Sequence, residues 1–191
     1  MGNVASVKKA FEKIGAQVKI SHSKKEIEKA EYLVLPGVGA FGDGIKNLTK
    51  LNLIDILNKA VLKDGKPFLG ICLGMQLLTE VGYEFGTHSG LGWIKGETVK
   101  LKAPRLPHIG WNNIKILKKD VFEGIPDDNF YFVHSYILKP KNKSVITSVC
   151  KYGARFPASI QYKNIFATQF HPEKSQLSGL KMLDNFLNFK H

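Results

Sequence analysis

Two stretches of this sequence carry residues whose types and spacing suit nucleophilic chemistry. The first is Gly70-Ile71-Cys72-Leu73-Gly74, where glycines stand two residues to either side of a cysteine. That is the layout of a nucleophile elbow, a strained strand-to-helix turn, with cysteine in the place of serine. The turn exposes the sulfur and aims the N-terminus of the following helix at it. Such an arrangement favours the thiolate and offers backbone N–H groups to an oxyanion. Without its glycines Cys72 would read as a small core hydrophobe, the commoner fate of a free cysteine.

A thiolate nucleophile needs a base. Among six histidines, only His171 is followed two residues later by a carboxylate on a stiffened backbone, in Gln169-Phe170-His171-Pro172-Glu173. In extended chain, residues i and i+2 face the same way, and Pro172 holds His171 in the β region. Glu173 can then orient the imidazole through one ring nitrogen while the other faces the sulfur. Cys72, His171 and Glu173 thus fit the nucleophile, base and orienter of a catalytic triad. Read alone, His-Pro-Glu is an ordinary turn after a strand.

The remaining candidates are weaker. Cys150 closes Val145-Ile146-Thr147-Ser148-Val149-Cys150, with no glycine and no helix start after it, and reads as structural. His22 and His191 read as surface residues. His88 and His108 have no partners at metal-ligand spacing, so no metal is expected. His134, in Tyr131-Phe132-Val133-His134-Ser135-Tyr136, sits on a strand and either lines a pocket or is a satisfied core histidine. The loop Pro36-Gly37-Val38-Gly39 lacks the Lys-Ser/Thr of a phosphate loop and the full dinucleotide fingerprint. Its amides, from Gly37, Val38 and Gly39, fit better as the second arm of an oxyanion hole whose first arm is Leu73.

The elements that must position these residues alternate between strand and helix in the first half. Val4, Val7, Phe11 and Ile14 have helical spacing, with Asn3 as cap and Gly15 as stop. A short strand is expected over residues 17–20, then a helix opened by the capping box Ser23-Lys24-Lys25-Glu26, then a buried strand over 32–35. Ile45, Leu48, Leu51, Ile54, Leu57 and Val61 predict one long amphipathic helix, broken at Asp64-Gly65. Residues 67–71 read as strand and 73–81 as helix, which puts Cys72 at the turn between them. This alternation predicts a parallel sheet. From about Gly90 the pattern changes to strands and turns, over 114–117, 130–138, 144–150, 158–161 and 165–170. The second half should be largely antiparallel, with a closing helix from Ser175 onward.

Composition sets the outer bounds. The 191 residues fit one domain, 1–191, with 43% hydrophobic and 23% charged residues, ordinary for a soluble globular chain. No apolar run nears the roughly 20 residues needed to cross a bilayer, and no signal-peptide layout opens the chain, so a cytoplasmic protein without membrane contact is expected. Two cysteines are too few for a disulfide framework. Lys plus Arg number 28 against 16 Asp plus Glu, a net charge of +12. No block of five or six like charges and no aromatic-basic interleaving accompanies that charge, so it reads as a solvated lysine-rich surface, not a nucleic-acid site.

Pro36-Gly37-Val38-Gly39, Gly70-Ile71-Cys72-Leu73-Gly74 and His171-Pro172-Glu173, in that order and at these separations, resemble the class I glutamine amidotransferases. Gly2-Asn3, Pro107-His108-Ile109-Gly110-Trp111-Asn112, Phe132-Val133-His134-Ser135-Tyr136 and the stretch from Gln169 to Ser175 are similar to one branch, the glutaminase subunit of imidazole glycerol phosphate synthase. The similarity covers nearly the whole chain. It implies a flavodoxin-like α/β domain, a mixed central sheet flanked by helices with antiparallel strands in the second half. It also implies a glutaminase that docks, as a heterodimer, on a barrel-shaped cyclase. Ammonia then passes through the barrel to build imidazole glycerol phosphate during histidine biosynthesis, with no cofactor. By motif, Gln76, Glu84, Ser135 and Tyr136 would hold glutamine, and Asn3, Trp111 and Lys174 would sit at the cyclase interface.

One departure stands out. The family opens with a strand ending in Asp-Tyr-Gly before the Gly-Asn pair, whereas this sequence begins Met1-Gly2-Asn3. A truncated or mis-assigned start is expected, with an unpaired edge where that strand would lie. Two other functions compete. A related glutaminase with the same triad could serve a sugar-modifying amidotransferase, told apart by its partner. An inactive module could merely scaffold a synthase, told apart by a glutaminase assay.

Overall fold

The computed structural model describes residues 3–188; Gly2 and His191 lie outside them. Seven strands form a mixed sheet in the order Leu33–Gly37 (β1), Phe68–Cys72 (β2), Ile165–Thr168 (β11), Ala154–Tyr162 (β10), Ile146–Tyr152 (β9), His108–Ile116 (β6) and Asn129–His134 (β7). β2 pairs in parallel with both β1 and β11, and every pairing from β11 to β7 is antiparallel. The expected change from parallel first half to antiparallel second half holds. A smaller sheet, absent from the sequence reading, runs His88–Ser89 (β4), Thr79–Gly82 (β3), Ile94–Lys100 (β5) and Tyr136–Pro140 (β8).

Alternation along the central strands builds two apolar layers. Leu69 and Ile71 of β2 pack with Val7 and Phe11 of α1 (Val4–Lys13) and with Met182, Leu183 and Phe186 of α6 (Gln176–Asn188). Phe68, one residue off, packs in a second layer with Ile27 of α2 (Lys24–Lys29), Leu48 of α3 (Phe41–Lys50) and Leu57 of α4 (Ile54–Asn58). Helices thus cover both faces of the parallel strands, as a fully buried β2 requires.

Several local expectations give way to tertiary contacts. Residues 17–20 form no strand, because no neighbouring strand offers them a ladder, and β1 is the sheet's edge. Ser23 makes no side-chain cap bond; Glu26, its expected capping partner, pairs instead with Lys19 at 2.9 Å. The single amphipathic helix over 45–61 is two helices, parted where Asn52 takes φ +53°, and its end widens into a π-turn over Lys59–Lys63. The helix after Cys72 is one turn, α5 (Leu73–Gln76), since Thr79–Gly82 is drawn off to pair with β4 and β5. The strand expected over 130–138 divides at Ser135, with β7 in the large sheet and β8 in the small one.

Candidate active site

β2 delivers Cys72 to its C-terminal end, the edge at which parallel α/β sheets place ligands. The residue adopts φ +54°, a left-handed backbone rare for a side chain with a Cβ and costing on the order of 1–3 kcal/mol. Its two flanking glycines admit the close packing that holds this turn. A Cβ on Gly74 would stand 1.8 Å from the Leu35 carbonyl oxygen, and one on Gly70 would stand 2.9 Å from the Gly74 carbonyl. Parallel register sets Gly37 beside Cys72, so the Pro36-Gly37-Val38-Gly39 loop leaves β1 next to the sulfur. Gly39 turns that loop outward at φ +107°.

Across the sheet, β11 ends at Thr168 and the chain runs on to His171. The His171 N–H donates to the Tyr131 carbonyl at 2.9 Å, and Ser175 Oγ donates to the His171 carbonyl at 2.6 Å while accepting from the Tyr131 N–H at 3.0 Å. These bonds fix the His-Pro-Glu turn against β7. The His171 and Glu173 side chains are fully enclosed, and His171 Nδ1 donates to Glu173 Oε1 at 2.8 Å. Burial alone would lower the pKa of His171. The Cys72 sulfur beside it and the Glu173 carboxylate outweigh burial and hold it up to about 9. His171 Nε2 has no hydrogen-bond partner among the described residues, so it is free to exchange a proton. Because α5 is a single turn, its dipole adds little at the sulfur, against the expectation of a longer helix.

Gln169 is a site residue that the sequence reading misses, although it shares a face with His171 at i−2. It is wholly buried, and its Nε2 lies 3.7 Å from Cys72 Sγ. Gln76 Nε2 donates to Gln169 Oε1 at 3.1 Å and to the Tyr136 carbonyl at 2.9 Å. Ser135 and Tyr136 stand where the chain crosses between sheets, beside Gln76. Glu84 approaches from the loop after β3, where its Oε2 accepts from the Phe41 N–H at 2.9 Å at the start of α3.

Asn3, expected to cap α1, makes no side-chain cap bond to it and is buried. Its Nδ2 donates to Glu173 Oε1 at 2.6 Å and lies 3.0 Å from His171 Nδ1, adding a second donor to the carboxylate that orients the imidazole. Trp111 and Lys174, by contrast, are exposed and gather on Tyr131. Trp111 packs edge-on against that ring at 5.9 Å, and Lys174 Nζ lies 5.6 Å from its centroid.

A family model described as "Glutamine amidotransferase class-I" matches residues 1–189. The chain belongs to the class I glutamine amidotransferases. Among curated relatives, this amidotransferase is 52% identical to imidazole glycerol phosphate synthase subunit HisH 1 of Campylobacter jejuni, over 97% of this chain and 94% of that one. It is 50% identical to subunit HisH of Aquifex aeolicus, over 97% and 91% of the two chains. Two solved structures share its fold. One described as a glutamine amidotransferase superposes with a TM-score of 0.78 at 18% identity, covering 98% of this chain and 93% of that one. A putative GMP synthase component from Thermoplasma acidophilum gives 0.68 at 21%, covering 96% and 85%. No helix among the described residues of this amidotransferase is long and apolar enough to cross a membrane.

Proposed function

We infer that the chain is the glutaminase subunit of an imidazole glycerol phosphate synthase, hydrolysing glutamine and passing ammonia to a cyclase subunit in cytoplasmic histidine biosynthesis. The chemistry rests on one observation: Cys72, on a strained turn, lies beside an imidazole that Glu173 orients, and against the cost of burial the sulfur and the carboxylate together hold that imidazole up to about 9. The choice of synthase over a sugar amidotransferase rests on relatives half-identical over almost the full chain, named as subunits of that synthase.

In the proposed reaction, the proton of the Cys72 thiol already rests on His171 Nε2, and Sγ attacks the side-chain amide carbon of glutamine. Amides of Gly37, Val38, Gly39 and Leu73 receive the oxyanion. The imidazolium gives its proton to the amide nitrogen, the C–N bond breaks, and ammonia leaves a glutamyl thioester. His171 then takes a proton from water, whose oxygen attacks the thioester; the C–S bond breaks and glutamate departs. Gln76, Glu84, Ser135 and Tyr136 hold the substrate. Trp111 and Lys174 form the docking face on Tyr131, with Asn3 set behind it against Glu173.

Glutamate release measured with and without the cyclase and its ligand tests this reading. Docking is expected to stimulate it at least about fivefold, the lower end of ordinary coupling between sites. Silence under both conditions refutes the glutaminase assignment and leaves the scaffold. Glu173→Gln should lower kcat by about 10²- to 10⁴-fold with the fold retained, since an amide can present its NH₂ to Nδ1 and favour the wrong tautomer. A kcat within threefold of wild type, by the same assay, would remove Glu173 from the triad.

A further inference from the structure

Beyond the triad, the structure buries a pair of histidines to which the proposed reaction gives no part. Facing register on β6 and β7 brings His108 opposite His134. His108 Nδ1 lies 3.1 Å from His134 Nε2, and His134 Nδ1 lies 3.0 Å from the Tyr136 carbonyl. His108 Nε2 lies 3.3 Å from Asn112 Nδ2. His108 is stacked between the rings of Tyr152 and Phe132, with centroids at 4.1 and 4.9 Å.

The direction of every bond is fixed from both ends. A carbonyl oxygen can only accept, so His134 must carry its proton on Nδ1 and present a bare Nε2. His108 must then donate from Nδ1, leaving its own Nε2 to accept from Asn112. The Asn112 amide is locked in the orientation this needs, because its Oδ1 accepts from the Asn113 N–H at 2.9 Å and its Nδ2 donates to the Lys151 carbonyl at 3.2 Å. A charged imidazole would set two donors face to face. Burial keeps both rings neutral, lowering His108 to about 4 and, with His108 alongside, His134 to about 3.

The chain does not stop at Tyr136. Its carbonyl also accepts from Gln76 Nε2, which donates to Gln169 Oε1, and Gln169 Nε2 reaches the Cys72 sulfur. We propose that the His108–His134 pair is a positioning device for glutamine, a hydrogen-bond chain that converges with Gln76 on the Tyr136 carbonyl, fixes it, and so holds the Gln76 and Gln169 amides against Cys72. The proposal rests on the glutaminase reading. It also ties the site to β6, the strand that carries exposed Trp111 three residues beyond His108.

Two variants separate this role from simple packing. His108→Phe keeps a ring between Tyr152 and Phe132 but removes the donor, which frees His134 to move its proton to Nε2 and turn a lone pair on the Tyr136 carbonyl. His108→Asn keeps an N–H near the lost Nδ1. In the complex with cyclase and its ligand, His108→Phe should raise the KM for glutamine about tenfold, with kcat within about threefold, and His108→Asn should restore KM to within about threefold. A KM within twofold of wild type for His108→Phe, or equal defects in both variants, overturns the proposal. ¹⁵N-histidine NMR of the wild-type protein provides an arm that needs no variant to fold. It should show His108 and His134 both as Nδ1–H tautomers, and an Nε2–H form of His134 overturns the chain whatever the kinetics. A wild-type complex that releases no glutamate refutes the function reading itself, and the positioning role with it.

Discussion

Cys72→Ala is expected to remove glutamate release almost entirely, by at least about 10⁴-fold in kcat/KM, while the protein still folds and still docks on its cyclase. The loss should be this large because no other described group near the site can replace the sulfur: His171 and Glu173 are spent as base and orienter, and Cys150 is buried elsewhere with its thiol pushed up to about 12 by burial. The fold should survive because the hydrogen bonds of the sulfur to the strands around it are long, 3.7 Å each to the Val133 carbonyl and from Gln169 Nε2. Alanine also meets the same left-handed backbone that cysteine already tolerates. The measurement is a glutaminase assay paired with a thermal melt and co-elution with the cyclase. Native-rate hydrolysis by Cys72→Ala would discard the triad assignment.

The sequence carried much of this site because its parts are local. Glycines at fixed offsets from Cys72, and a carboxylate two residues after His171 across a proline, are short-range patterns. The structure brings those two distant patterns together through the β2 and β11 pairing. What escaped the reading is long-range. Asn3 looked like a helix cap because capping is a local rule, yet its amide lies against Glu173, 170 residues away in the chain. The sequence offers His108 no metal-ligand partner and leaves His134 open between pocket and core, because the pairing of the two depends on the register of β6 with β7. The overlong helix at 73–81 has a related cause: apolar periodicity alone does not distinguish a helix from a segment that a neighbouring sheet recruits, as β5 recruits β3. The one at 45–61 is interrupted by a single left-handed residue, Asn52, that periodicity does not register.

Gly74 shows how tightly the catalytic turn depends on the strands below it, and Gly74→Ala should be among the most destabilising single methyl additions in this chain. The added carbon would stand 1.8 Å from the Leu35 carbonyl oxygen, well inside contact distance. Neither side can yield cheaply. Leu35 is held in parallel register with Gly70 on the β1–β2 ladder, and Gly70 in turn lies within 2.9 Å of the Gly74 carbonyl, measured from where its own Cβ would be. Relief requires α5 to lift from the sheet, which uncovers buried Leu73 and Met75 and carries the backbone after Cys72 with it. A cost of at least about 3 kcal/mol follows, at the upper end of overpacking penalties, or roughly 6–12 °C in melting temperature for a chain of this size. Glutaminase activity should fall with it, even below the melt, because the Leu73 amide moves off the oxyanion. Gly65→Ala is the comparison: Gly65 has a φ of +69° where Gly74 is helical, and nothing lies within 4 Å of its new carbon, so backbone strain alone acts there and about 1–2 kcal/mol is expected. A melting point for Gly74→Ala no lower than that of Gly65→Ala would mean that the contact with Leu35 is not what reserves position 74 for glycine.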